Sequence, residues 1–250
     1  MSMSSIKVCG TKEASPETPA RATLFGRSYR ALSLRFQALP VGLILVLAFG
    51  AVPSPAEPSR VIAFGDSLSA GFLLPADAAF PAQLERRLRA DGFDAKVVNA
   101  GVSGDTTAGG LSRIGFTLGE GADLVILELG ANDMLRGFDP KVTQGNLEKI
   151  IAQIEARGSA IVLAGMRASG NFGPDYKARF DAVFPDLAES HKLPLYPFVL
   201  EGVAGDKALV LADGLHPNAE GVARIVTGIA PVVEENLARV QGAKAAHAVR

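Results

Sequence analysis

The stretch Val61-Ile62-Ala63-Phe64-Gly65-Asp66-Ser67-Leu68-Ser69 decides how this chain is read. Four apolar residues, two of them β-branched, give way abruptly to a glycine and a run of small polar side chains. A short, continuously apolar run bounded by turn residues is the pattern of a strand buried on both faces. The polar run after Phe64 is then a loop at the strand's carboxyl end.

The pattern repeats downstream. Lys96–Asn99, Leu124–Leu129, Ala160–Ala164 and Leu195–Phe198 read as further strands, and amphipathic stretches separate them. Phe80, Leu84 and Leu88 mark one helix that ends at Asp91-Gly92, and Leu147, Ile150, Ile151 and Ile154 mark another that ends at Arg157-Gly158. Tyr176, Phe180, Val183 and Leu187 mark a third, which Pro185 is expected to bend or shorten. A last helix is expected from about Asn218, a suitable N-cap, to Val240, with a frayed, flexible tail over 241–250. Five strands alternating with helices predict an α/β fold, a three-layer α/β/α sandwich around a central five-stranded parallel sheet, flavodoxin-like in type. In such sheets ligands bind beyond the carboxyl ends of the strands.

Residues 1–56 do not fit that domain. Arg21, Arg27, Arg30 and Arg35 precede an apolar run over 38–52, and Ser54-Pro55-Ala56 then offers small residues for cleavage. This is the layout of a signal peptide spanning 1–56, and it predicts a periplasmic or secreted protein; an uncleaved anchor is the alternative. The run is shorter than the roughly 20 residues that span a bilayer comfortably, and Pro40 interrupts it. Those residues hold six Lys/Arg and two Asp/Glu of the chain's 25 and 26, which leaves 19 and 24 and a net charge near −5. Such a balance argues against nucleic acid as a partner, and against an anionic membrane surface once the signal is gone. The single cysteine, Cys9, lies in the leader, so the remainder forms no disulfide. A domain over 57–240 is long enough to bury roughly 70% of its unfolded surface, and is expected to be monomeric.

Polar clusters follow the strands. Beyond the first lie Gly65 to Ser69, beyond the second Ala100-Gly101-Val102-Ser103-Gly104-Asp105, and beyond the third Gly130-Ala131-Asn132-Asp133. Asp213-Gly214-Leu215-His216-Pro217-Asn218 returns the chain to the same rim ahead of the last helix. A serine hydroxyl needs a base to become a nucleophile, and histidine suits that task near neutral pH. Of the three histidines, His247 lies in the tail and His191 at a helix end, which leaves His216. Asp213, three residues earlier, is close enough to orient its imidazole. Ser67, Asp213 and His216 are thus the candidate catalytic set. Backbone N–H groups at Ser67 and Gly101 and the Asn132 amide are candidate oxyanion donors. Phe72, Leu73, Leu74, Met134, Leu135 and Phe138 flank the rim as candidate walls for an acyl or aryl group, and Met166 and Arg167 follow the fourth strand.

Other readings of the same residues exist. Ser67 and Asp66 could be helix-start residues, Asp105 and Thr106 caps, and Asn132-Asp133 a plain turn. Asp213 and His216 could be two metal ligands, although no further histidine or cysteine stands nearby. Gly65-x-Ser67-x-Ser69 is not the G-x-S-x-G elbow, because Ser69 replaces the last glycine.

In order and spacing these segments resemble the four blocks of the SGNH (GDSL) hydrolase superfamily, and in particular its bacterial periplasmic arylesterase and acyl-thioesterase/lysophospholipase branch. The blocks are Gly65-Asp66-Ser67-Leu68-Ser69, Gly101, Gly130-x-Asn132-Asp133 and Asp213-x-x-His216-Pro217. Asn99 to Thr107, Leu127-Glu128-Leu129-Gly130, Leu135-Arg136-Gly137 and Asn171-Phe172-Gly173 extend the likeness over residues 60–240. The resemblance implies a serine hydrolase acting on small-molecule carboxylic esters or thioesters through an acyl-serine intermediate, with no metal or organic cofactor. It also implies Ser67 as nucleophile, Asp213 and His216 as its partners, and Ser67, Gly101 and Asn132 as the oxyanion hole. Ala131 departs from relatives that carry a second glycine there. A carbohydrate O-acetyl esterase using the same site, or a non-catalytic flavodoxin-like binding protein, are the competing expectations; the absence of tryptophan weighs against the first.

Overall fold

The computed structural model describes residues 57–119 and 121–248, with side chains to 246. The expected signal peptide over 1–56 lies outside the described residues. Five parallel strands form one sheet in the order β2-β1-β3-β4-β5: β1 Ser59–Gly65, β2 Ala95–Gly101, β3 Leu124–Glu128, β4 Ala160–Ala164 and β5 Leu195–Tyr196. The centre of the sheet is apolar on both faces, and every residue of β3 is buried. The predicted three-layer sandwich is therefore the fold observed.

Helices α2 (Phe80–Ala90) and α7 (Ala219–Ala248) pack on each other, while α5 (Pro140–Glu155) packs between α3 (Thr107–Thr117) and α6 (Pro174–His191). Two very short helices, α1 (Ser67–Ala70) and α4 (Ala131–Leu135), follow β1 and β3 directly. The apolar stripes of the long helices meet the sheet through Leu84 and Leu88 of α2, Leu147, Ile150 and Ile154 of α5, and Ile225, Ile229 and Val233 of α7, all buried. Burying each such side chain is worth about 1.5–3 kcal/mol.

Several boundaries differ from expectation. β2 runs two residues beyond Asn99 to end at Gly101, in register with Gly65. β5 stops at Tyr196, where four residues were expected: Gly165 N–H still donates to Tyr196 O at 2.8 Å, but the Gly165 carbonyl accepts from Val199 N–H at 2.8 Å in place of Phe198 N–H, so the regular register ends there. Pro185 does not cut α6, whose Phe180, Val183, Phe184 and Leu187 are buried along one face. The tail is the larger correction: α7 continues to Ala248, so 241–248 is helix and not a frayed segment. Gln241 Nε2 donates to Ser59 Oγ at 3.0 Å, and Lys244 Nζ pairs with Asp123 Oδ1 at 2.6 Å, tying this extension to the domain. Asn218 caps α7 as predicted, accepting from Gly221 N–H at 2.9 Å. Thr106 caps α3 through Gly109 N–H, but Asp105 instead pairs with Arg113 at 2.7 Å.

Candidate active site

Strand order reverses between β1 and its two neighbours, β2 and β3, and there a crevice must open, because the chain leaves the two sides of β1 toward opposite faces. A cleft of about 740 Å3 lies on this rim, and Ser67, Gly104, Asn132 and His216 all line it.

Ser67 opens α1 immediately after Asp66, which caps it: Asp66 Oδ1 accepts from Leu68 N–H at 3.0 Å. As the first helical residue, Ser67 has an N–H with no acceptor in its own helix. Its hydroxyl lies 2.9 Å from His216 Nε2, and His216 Nδ1 lies 2.7 Å from Asp213 Oδ2. Asp213 Oδ1 accepts from the N–H groups of Leu215 and His216 at 2.9 and 3.0 Å. Those two backbone donors, with the imidazole, hold the Asp213 carboxyl down at about 2. An ionised Asp213 only accepts, so Nδ1 carries the imidazole proton and Nε2 is free to accept from Ser67. The tight turn that presents both residues passes through Gly214 at φ 70° and closes with Leu211 N–H donating to His216 O at 2.7 Å. The Phe72 ring rests on the imidazole with centroids 4.4 Å apart.

Behind the serine lie two buried acids. Asp66 is completely buried, and burial pushes its carboxyl up to about 6 against the pull of Leu68 N–H and the Asn132 amide. Glu128, at the end of β3, is buried and is raised well above its ordinary value, first by desolvation and then by the Asp66 charge. Its Oε2 accepts from Ser69 Oγ at 2.9 Å and from Asp66 N–H at 3.3 Å, while Oε1 has no hydrogen-bond partner among the described residues. A neutral acid tolerates such isolation far better than a carboxylate does.

Asn132 lies in α4 and donates through Nδ2 to Asp66 Oδ2 at 3.1 Å. Asp133, next to it, is not a plain turn residue: buried, it accepts from Thr107 N–H at 2.8 Å and from Thr107 Oγ1 at 2.5 Å, clamping α4 to the start of α3.

Gly101 is not brought to this cleft. It ends β2, its N–H donates to Asn99 Oδ1 at 3.0 Å, and a Cβ there would overlap the backbone of Ala70. It is the contact at which α1 lies against β2. Gly104, three residues on, lines the cleft at φ 81°, and Arg136 Nη2 donates to its carbonyl at 3.0 Å. Of the expected walls, Phe72, Met134 and Leu135 line the cleft; Leu73, Leu74 and Phe138 do not. Leu73 is 76% exposed at φ 57°, carried outward by the turn that swings Phe72 in. Phe138 is 40% exposed, and its carbonyl accepts from Tyr176 OH at 3.0 Å. Met166 and Arg167 do reach the cleft, joined by Phe198 and Leu200 after β5 and by Leu215. Phe198 and Leu200 carried no motif and Leu215 stands at an unspecified position of Asp213-x-x-His216; only their nearness to the rim could have marked them. His191 sits 3.4 Å from Glu155 on α6 and α5. Among the described residues no group of three metal-binding side chains occurs.

A flavodoxin-like sandwich with a serine, histidine and aspartate in hydrogen-bonded series on its switch-point rim defines a class, the SGNH-type serine hydrolases. Residues 63–224 match the GDSL-like Lipase/Acylhydrolase family, and the chain belongs to that family as a carboxylic ester hydrolase. It is 39% identical over 196 residues to an arylesterase of Vibrio mimicus, covering 78% of this chain and 98% of that one. It is 37% identical over 183 residues to thioesterase 1/protease 1/lysophospholipase L1 of Escherichia coli K12, covering 73% and 85%. The crystal structure of AlinE4, an SGNH-hydrolase family esterase, superposes with a TM-score of 0.62 at 44% identity over 73% of this chain and 98% of that one.

Proposed function

We propose that the protein hydrolyses aryl esters, acyl thioesters or lysophospholipids through an acyl-Ser67 intermediate. Ser67 Oγ attacks the carbonyl carbon as His216 Nε2 takes its proton, and Asp213 stabilises the imidazolium that forms. The oxyanion is met by the Ser67 and Gly104 N–H groups and the Asn132 amide, Gly104 taking the place expected of Gly101. His216 then returns the proton to the departing alkoxide or thiolate. Water, deprotonated by the same imidazole, attacks the acyl carbon and frees Ser67.

The single observation that carries this reading is the 2.9 Å approach of Ser67 Oγ to His216 Nε2, with Asp213 2.7 Å behind the ring. The substrate class is supported by the cleft lining, in which Phe72, Met134, Leu135, Met166, Phe198 and Leu200 supply apolar walls. An acylated carbohydrate would call for polar and aromatic platforms, and the cleft holds neither tryptophan nor tyrosine. The leader's composition supports export, and none of the described helices is long and apolar enough to cross a membrane.

A fluorophosphonate should label Ser67 with the stoichiometry of one per chain, and Ser67→Ala should lose both labelling and turnover of a short aryl ester. A Ser67→Ala protein with wild-type turnover would refute the proposal. A series of esters and thioesters of increasing acyl length then defines the preferred substrate.

A further inference from the structure

We infer that Asp66 is a positioning residue whose carboxylate dictates which end of the Asn132 side-chain amide is offered to the substrate. This rests on the acyl-Ser67 reading above and assigns to the residue before the nucleophile a task distinct from capping α1.

A primary amide has two ends of nearly equal shape and opposite hydrogen-bonding sense. Unless a neighbour discriminates between them, the cleft can be given either an N–H or a carbonyl oxygen. An N–H stabilises an oxyanion, whereas a carbonyl oxygen repels it. Asp66 discriminates because a carboxylate only accepts. Its Oδ1 is occupied by Leu68 N–H at 3.0 Å, and Oδ2 takes one Asn132 Nδ2 hydrogen at 3.1 Å. The second Nδ2 hydrogen remains for the cleft that Asn132 lines.

The carboxylate is itself held rigidly. Asp66 is wholly buried, and its N–H donates to Glu128 Oε2, which also holds Ser69. Asp66 is also covalently joined to Ser67, so nucleophile and oxyanion donor are registered to each other through one residue. A helix cap alone would not need a carboxylate: serine, threonine or asparagine serves equally well.

Asp66→Asn separates the two tasks. Its Oδ1 still accepts from Leu68 N–H, but its own NH2 now faces Asn132 and pairs only with the Asn132 carbonyl oxygen. The Asn132 amide turns over and the oxyanion loses a donor. The expected result is a fall in kcat of about 100- to 1000-fold with KM little changed, the loss typical of one oxyanion donor. In an Asn132→Ala background, where there is no amide to orient, Asp66→Asn should slow kcat no more than about threefold, since residues that act as a unit are not additive. An unaltered kcat for Asp66→Asn in the wild-type background, or an equal loss in both backgrounds, would overturn the inference.

Because Asp66 is buried, a measurement on the unaltered protein stands beside the variants. In 15N-labelled enzyme the two Asn132 Nδ2 protons should differ, one protected from exchange by Asp66 and the other shifted when a phosphonate occupies Ser67. Two equivalent, rapidly exchanging protons would overturn the inference whether or not the variants fold. Wild-type enzyme that is not labelled at Ser67 would sink the acyl-serine reading itself; labelling with a fully active Asp66→Asn would sink only the role of Asp66.

Discussion

Replacing Asp66 by asparagine should also change how stability depends on pH. The folded protein raises this carboxyl from 3.8 to about 6, chiefly through burial. A raised acid binds its proton more tightly when folded than when unfolded, so stability falls as pH climbs through the window from about 4 to 6. Above that window the full penalty is in force. A difference of roughly 2 pH units at 1.36 kcal/mol each amounts to about 3 kcal/mol. Asparagine does not titrate and escapes it. Easing the charge beside Glu128, whose own rise owes a part to Asp66, acts in the same direction. Urea unfolding followed by far-ultraviolet circular dichroism, at pH 3.5 to 7.5, reads the effect directly. The stability of Asp66→Asn relative to wild type should improve by about 3 kcal/mol from the acid end to the neutral end, whatever its offset at pH 3.5. Parallel stability curves across that range would refute the reasoning, because they would mean that Asp66 is no harder to ionise in the folded chain than in the unfolded one.

Two further predictions concern catalysis. Activity should be lost on acidification because a protonated His216 cannot accept the Ser67 proton; Asp213, held at about 2, keeps its charge through this range and is not the cause. Asp66, which faces Glu128, Asp105 and His216, protonates at about 6 and weakens its grip on Asn132, so log kcat/KM, which reports the free enzyme, should fall through more than one ionisation. A single ionisation of unit slope would contradict that. Phe72→Ala removes the ring that rests on the imidazole and should lower kcat by about 2- to 10-fold, the equivalent of a typical aromatic pair. Phe72→Leu, which keeps apolar bulk but no ring, should fall between the two, and steady-state assays with one aryl ester distinguish them.

The sheet was legible because its signal is compositional. Val61 to Phe64 and Leu124 to Leu127 are apolar without alternation, and their shortness, β-branched residues and flanking turn residues mark them as strands covered on both faces rather than helix. The start of α7 was legible from its Asn218 cap, and the helices α2, α5 and α6 from apolar spacing. Helix α3 offers little of it, with glycines at 109, 110 and 115, and its place is fixed by tertiary contacts: Arg113 donates to the Ala100 and Gly65 carbonyls, and Asp133 holds its first turn. The extended end of α7 was misread for a related reason. Alanine-rich sequence after Gln241 has no apolar stripe, and what orders it is a glutamine and a lysine reaching Ser59 and Asp123, far away in the chain.

The site shows the same division more sharply. Ser67, Asp213 and His216 were identifiable because each residue type is demanded by the chemistry and the rim was given by the strands. Gly101 was expected on the rim because β2 was ended two residues early; the strand runs to Gly101, whose N–H donates to Asn99 and whose Cα is pressed against α1, while the loop glycine Gly104 lines the cleft. Asp66, Glu128 and Asn132 each fall in a block the sequence singles out, but that they form one buried partnership was not legible, since the three lie beside β1, on β3 and on α4 and meet only when the sheet forms. Two adjacent buried acids are costly to a fold that needs only stability. Their placement directly behind the nucleophile, with one carboxylate reading the orientation of an amide, gives that cost a function, and it makes the pH dependence of folding and the geometry of the oxyanion pocket two consequences of one side chain.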